Sequence, residues 1–138
     1  MAETFKGNCH CGAVQIAFET ALAPEKLGFR LCECSYCRKL APVYIADPHG
    51  IARLSGMGRL GIYRFGHQTA DFVHCQTCFV YVGAICEIDG RAYAVLNARL
   101  FDDLPVSDSA SAAFDYDAES MDDRIERRAQ RWTPVTLV

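Results

Sequence analysis

The stretch Cys32-Glu33-Cys34-Ser35-Tyr36-Cys37-Arg38 constrains this chain more than any other. Three cysteines fall within six residues, spaced C-x-C-x-x-C. Thiols this close do not readily pair with one another, because a disulfide fixes both the Cα separation and the Cβ directions. They can converge on one metal ion, since thiolates suit soft or borderline cations such as zinc. Three protein thiolates around zinc leave one coordination position open, which is the arrangement of a catalytic rather than a structural site.

The remaining cysteines extend the pattern. The 138-residue chain has eight, of which seven fall in three clusters: Cys9 with Cys11, the central triplet, and Cys75 with Cys78. Cys86 stands alone in an apolar run and reads as a buried core thiol. Eight cysteines in a secreted protein would suggest disulfides. Met1 to Gly7 shows no apolar signal segment, so a cytoplasmic protein is expected, and a reducing compartment favours metal binding. A redox role for Cys75-x-x-Cys78 would want a βαβ context, and the surrounding pattern offers none. The net charge of −3 and pI of about 5.7 speak against a nucleic-acid partner. No apolar run approaches the roughly 20 residues of a membrane span. The length suits one domain, with 51% hydrophobic residues to fill a core.

Along the chain, apolar residues mostly alternate with the period of strands. Ala13–Glu19, Phe29–Leu31, Val43–Ile45, Ile51–Leu54, Leu60–Phe65 and Ala70–His74 read as strands. Phe79–Ile88 and Arg91–Leu96, joined by Asp89-Gly90, make the clearest hairpin. Arg38–Ala41 reads as a short turn or irregular segment before Pro42. After Leu100 the composition turns acidic, with Asp102, Asp103, Asp108, Asp115 and Asp117, and a surface segment is expected. Ser120 caps a helix, with Asp123 as a capping-box-like partner. Met121, Ile125, Ala129 and Trp132 should form its apolar face, and Arg124, Arg127, Arg128 and Arg131 a basic face that is most simply solvated, with anion binding or subunit contact as the alternatives. Pro134 ends it. Residues 1–100 are thus read as the zinc-binding β domain, with 101–138 an acidic surface segment and a C-terminal helix packed on it.

Seven clustered thiolates divide naturally into four and three. Spacing alone does not say which clusters share an ion. Pairing the outer clusters is the simplest partition, because it leaves the triplet intact. The sequence resembles the glutathione-dependent formaldehyde-activating enzyme family, which shares its domain with centromere protein V. Gly7-x-Cys9-x-Cys11-Gly12, Cys32-x-Cys34-Ser35-x-Cys37-Arg38 and Cys75-x-x-Cys78 carry the resemblance, with the Tyr63 strand and Arg127-Arg128-Ala129-Gln130-Arg131-Trp132-Thr133-Pro134. It implies an all-β fold, a β-tent with zinc knuckles and a short C-terminal helix. It also implies a structural zinc on Cys9, Cys11, Cys75 and Cys78 and a catalytic, labile zinc on Cys32, Cys34 and Cys37. Phe79 stands where the family has glycine, and a side chain there should alter the knuckle backbone or wall off nearby space.

The implied activity is that of a carbon–sulfur lyase, joining glutathione or a similar thiol to formaldehyde or another small aldehyde. Zinc can hold a thiol as thiolate at neutral pH. Arg38 and Lys39 are candidates to meet a substrate carboxylate, and His74 is a candidate proton shuttle or a support for the structural zinc. The rival expectation is a non-catalytic, zinc-stabilised binding module of the same fold. Small thiol and aldehyde are the expected partners, neither nucleic acid nor membrane is, and a homodimer is left open.

Overall fold

The computed structural model describes residues 2–106, 112–114, 116 and 118–138, the side chains of 112–114 excepted. Asp108, Asp115 and Asp117 of the expected acidic segment lie outside the described residues. The described chain is mainly β-sheet, with a C-terminal helix, as expected. Strands β1 (Glu3–Asn8), β2 (Gln15–Thr20) and β5 (Ile51–Ser55) form an antiparallel meander. A second run joins β6 (Leu60–Tyr63), β7 (Asp71–Cys75), β8 (Tyr81–Ile88) and β9 (Arg91–Asn97), again antiparallel. The expected hairpin is the β8–β9 pair, turning at Asp89 (φ 50°) and Gly90 (φ 79°).

The two runs are joined by a strand that the sequence reading lacks. Thr133–Leu137 forms β11, parallel to β5 and antiparallel to β9. Pro134 has no N–H to donate, so a proline here reads as a helix stop rather than a strand. Pro134 sits where β11 meets β9, opposite Tyr93, and the pairing with β5 begins only at Val135. Beyond β9 lie β4 (Tyr44–Ile45), β3 (Arg30–Cys32) and β10 (Ala112–Phe114), the last parallel to β3.

Phe18, Leu54, Leu96, Val82 and Val14 are fully buried between these strands. Phe101 and Leu104 enter the same core from the segment after β9. Gly7 permits a close approach there, since a Cβ on it would lie 2.7 Å from the Leu100 carbonyl oxygen. Asp47 is buried and fully engaged: Thr20 Oγ1 donates to it at 2.6 Å and the His49 N–H at 2.9 Å. Its own N–H donates to Thr133 Oγ1 at 2.7 Å, pinning β11 to the loop after β4.

Among the described residues two α-helices complete the fold. The expected irregular segment after the triplet is a single turn, α1 (Cys37–Leu40), closed by Ala41 in the left-handed region at φ 57°. Helix α2 (Met121–Arg131) is capped as expected, the Asp123 N–H donating to Ser120 Oγ at 3.2 Å. Its orientation is the expected one only in part: Ile125 packs against the core and Trp132 is buried, as expected. Met121 is 48% exposed and Arg128 only 5%, and Ala129 is exposed while Arg124 and Arg127 are half-buried. Among the described residues no helix is long and apolar enough to cross a membrane.

Candidate metal centres

The structure gathers the seven clustered cysteines into two groups. Cys9, Cys11, Cys75 and Cys78 form one and Cys32, Cys34 and Cys37 the other, with the sulfurs of each group within 4.8 Å of one another. No pair forms a disulfide. Cys86 joins neither group; it is 1% exposed on β8.

The four-cysteine group is built from two knuckles. The first follows β1, where Gly12 at φ 83° turns the chain so that the Cys9 N–H donates to the Val14 carbonyl at 3.0 Å. The second lies between β7 and β8, where the Cys75 N–H donates to Val80 and the Phe79 N–H donates back to Cys75. Backbone N–H groups then point at sulfur: Val14 at Cys9 (3.3 Å), and Thr77 and Cys78 at Cys75 (3.4 and 3.5 Å). Such donors favour thiolates over thiols. Four sulfurs about 2.3 Å from one tetrahedral ion lie about 3.8 Å apart. Cys11 sits 3.7 Å from Cys9 and 3.6 Å from Cys75, so the group can close around one ion.

Phe79 takes up a left-handed backbone at φ 64°; the residue is 72% exposed and its ring is stacked on His74. The knuckle therefore keeps the turn that glycine would make, and the side chain is carried outward. His74 packs across Gly61 of β6 as well as Phe79, beside the four-cysteine group and not among the residues lining the cleft described below.

The three-cysteine group is delivered by the end of β3, which carries Cys32, and by the turn into α1. The Cys37 N–H donates to Cys34 Sγ at 3.4 Å, and the Arg38 N–H to the Cys34 carbonyl at 3.0 Å. Hydrogen bonds with Cys32 and then Cys37 hold the Cys34 thiol well below its ordinary pKa. The same kind of contact, with Cys32 and then Cys34, pushes Cys37 up. The negative charge of the trio thus settles first on Cys34, the sulfur that its two neighbours face. Among the described residues no fourth Cys, His, Asp or Glu joins them.

Two buried phenols back this group. Cys37 Sγ and Tyr44 Oη share a hydrogen bond of 3.1 Å, and Tyr44 and Tyr81 share another of 2.7 Å. Burial pushes both phenols well up, so both are neutral. Tyr36 packs against Tyr63, Phe65 and Phe72, with ring centroids 4.9–5.5 Å apart, and against Tyr81 at 6.2 Å.

The trio opens into a cleft of about 660 Å³, its mouth included. Cys32, Cys34 and Cys37 form its floor, Phe65, Phe72 and Trp132 part of its apolar wall, and Arg30, Arg124, Arg127 and Arg128 another side. Arg38 and Lys39, the basic residues adjoining the triplet in sequence, are exposed and do not line it. The lining arginines come instead from β3 and α2. Their sequence signal is the i, i+3, i+4 spacing of Arg124, Arg127 and Arg128, but that spacing marks a face without saying which way it points. Tyr44 and Tyr81 carry no local signal at all.

No family model matches the chain, and no curated protein does. Among solved structures it is similar to the crystal structure of a Rhodobacter sphaeroides protein, a structural-genomics target. The likeness has a TM-score of 0.62 at 27% identity and covers 79% of this chain and 98% of that one.

Proposed function

We propose that this chain is a zinc-dependent carbon–sulfur lyase of the glutathione-dependent formaldehyde-activating type, joining a thiol to a small aldehyde at Cys32, Cys34 and Cys37. One observation carries the reading. Four cysteines converge as a complete ligand set, whereas three others converge on the floor of a cleft without a fourth ligand among the described residues. A closed set suits a structural zinc and an open one a catalytic zinc. Bound at the trio, zinc would supply one thing, the capacity to keep a substrate thiol deprotonated at neutral pH.

The chain's own residues do the rest. Tyr44 fixes Cys37, and Tyr81 fixes Tyr44. Phe65, Phe72 and Trp132 give the aldehyde an apolar surface and exclude water, which opposes hydration and hydrolysis. The likeness to the Rhodobacter sphaeroides protein supports the fold and leaves the chemistry to the site.

The test is adduct formation. Zinc-loaded protein with glutathione and formaldehyde should form the hydroxymethyl thioether faster than the reagents alone, read by NMR exchange. Cys34→Ser should return the rate to background while circular dichroism stays native. Two inert zinc ions, with no acceleration across a panel of thiols and aldehydes, would replace the lyase with a zinc-stabilised binding module.

A further inference from the structure

The apolar wall of the cleft is larger than formaldehyde needs. Leu31, Phe65, Phe72, Ala84, Val95 and Trp132 line it. Ala84, Val95 and Trp132 are buried, whereas Phe65 and Phe72 are half-buried and still have ring surface to cover.

Those two rings are held in place. Their centroids lie 4.9 Å apart, Tyr36 lies 4.9 Å from Phe72 and 5.5 Å from Phe65, and Tyr63 stacks on Phe65 at 5.8 Å. A phenyl side chain has only two rotatable bonds, and a ring already locked by its neighbours loses little freedom when a ligand covers it. Tyr36 stands between Cys34 and Cys37 in the chain, so the aromatic group adjoins the sulfur floor.

The chemistry at the floor says what covers the wall. The substrate sulfur bonds to the carbonyl carbon, the π pair moves onto the carbonyl oxygen, and the thiol's proton ends on that oxygen. The carbonyl carbon therefore sits one bond from the substrate sulfur, and any group it carries starts beside the floor. Formaldehyde carries only hydrogens there and leaves the rings facing water. A hydrocarbon group would cover them, and burying apolar surface is favourable. A hydroxylated group would give up hydration against phenyl rings that return no hydrogen bond of comparable strength.

We infer that the aldehyde used at the three-cysteine centre carries an apolar hydrocarbon group, and that Phe65 and Phe72 select it. This choice of aldehyde rests on the lyase reading above, and the apolar subsite does not.

Zinc-loaded protein with glutathione is given formaldehyde, butanal or 2-hydroxypropanal, and each rate is divided by the uncatalysed rate of the same pair. Butanal should be accelerated at least about tenfold more than formaldehyde, the scale of burying a few methylenes. 2-Hydroxypropanal matches butanal in heavy atoms and should gain less than about threefold over formaldehyde. Phe65→Leu and Phe72→Leu should each lower the butanal-to-formaldehyde ratio by at least about threefold. Both aldehydes are read on one sample, so a loss of folded or metal-loaded protein cancels in that ratio.

Equal acceleration of butanal and formaldehyde, or of butanal and 2-hydroxypropanal, would overturn the apolar aldehyde. So would a ratio that neither variant lowers. Toluene has no carbonyl and separates the subsite from the chemistry. Its binding is followed by the fluorescence of the chain's one tryptophan, Trp132, which lines the cleft. Toluene binding that Phe72→Leu weakens, with no acceleration of any aldehyde, would keep the apolar subsite and overturn the lyase reading instead.

Discussion

The hydroxyl of Tyr44 lies 3.1 Å from the sulfur of Cys37, and the hydroxyl of Tyr81 completes the chain 2.7 Å further on. The pair is buried and neutral, so the contact orients the Cys37 sulfur without adding charge. Tyr44→Phe removes the hydrogen bond and leaves the Tyr81 hydroxyl buried without its partner. A stability loss of about 1–3 kcal/mol is expected from urea unfolding. Metal affinity at the trio should fall roughly tenfold or more, the usual effect of losing a group that orients a ligand. Competition with a chelating dye measures it, and unchanged affinity would remove Tyr44 from the site.

The two cysteine groups should respond differently to single substitutions. Cys75→Ser breaks the group that ties the β1–β2 turn to the β7–β8 turn, and a metal bound there would add to the folding free energy. The variant should lose its cooperative melt or aggregate. Cys34→Ser should instead lose one zinc by elemental analysis and keep the fold, because that group closes no comparable pair of distant turns. A Cys75→Ser variant with native melting temperature and full metal content would reverse the assignment.

Phe79 holds a left-handed backbone, φ 64°, which costs a residue with a Cβ about 1–2 kcal/mol. Glycine removes that strain but returns part of the gain, about 0.5–1 kcal/mol, as unfolded-state entropy. Phe79→Gly should therefore raise stability by up to about 1 kcal/mol in thermal or urea unfolding. Thiol binding should not change, since Phe79 lies outside the cleft. A destabilised variant would mean that the stack on His74 outweighs the strain.

Glu119 gives a pH signature. Burial would raise its carboxyl, but the Arg127 hydrogen bond and charge, with Arg124, outweigh that and hold it below the ordinary value of 4.5. A depressed carboxylate contributes stability above its unfolded pKa and loses it as pH falls through the folded one. Glu119→Gln should be less stable than the parent by about 1 kcal/mol at pH 7, the scale of a charge-assisted pair that is not fully buried. The difference should shrink below pH 4.5 and vanish once the parent carboxyl is protonated. A difference independent of pH would show that packing, not charge, is what Glu119 provides.

Local pattern determined much of this protein. The C-x-C, C-x-C-x-x-C and C-x-x-C clusters, the Asp89-Gly90 hairpin and the Ser120 cap all depend on residues within a few positions of one another. Their geometry is therefore legible along the chain, and a two-way division of the cysteines follows as the simplest partition. Tertiary structure decided the rest. A sequence shows that α2 has a basic face but not which surface lies opposite it, so the inward turn of Arg124, Arg127 and Arg128 depends on the cleft beneath. The strand at Thr133–Leu137 needs β5 and β9 on either side to offset a proline that forms no ladder bond of its own. The Cys37–Tyr44–Tyr81 chain joins α1, β4 and β8; Cys37 and Tyr44 are seven residues apart, but Tyr81 lies 37 further on and meets them only because the sheet folds β8 back beside them.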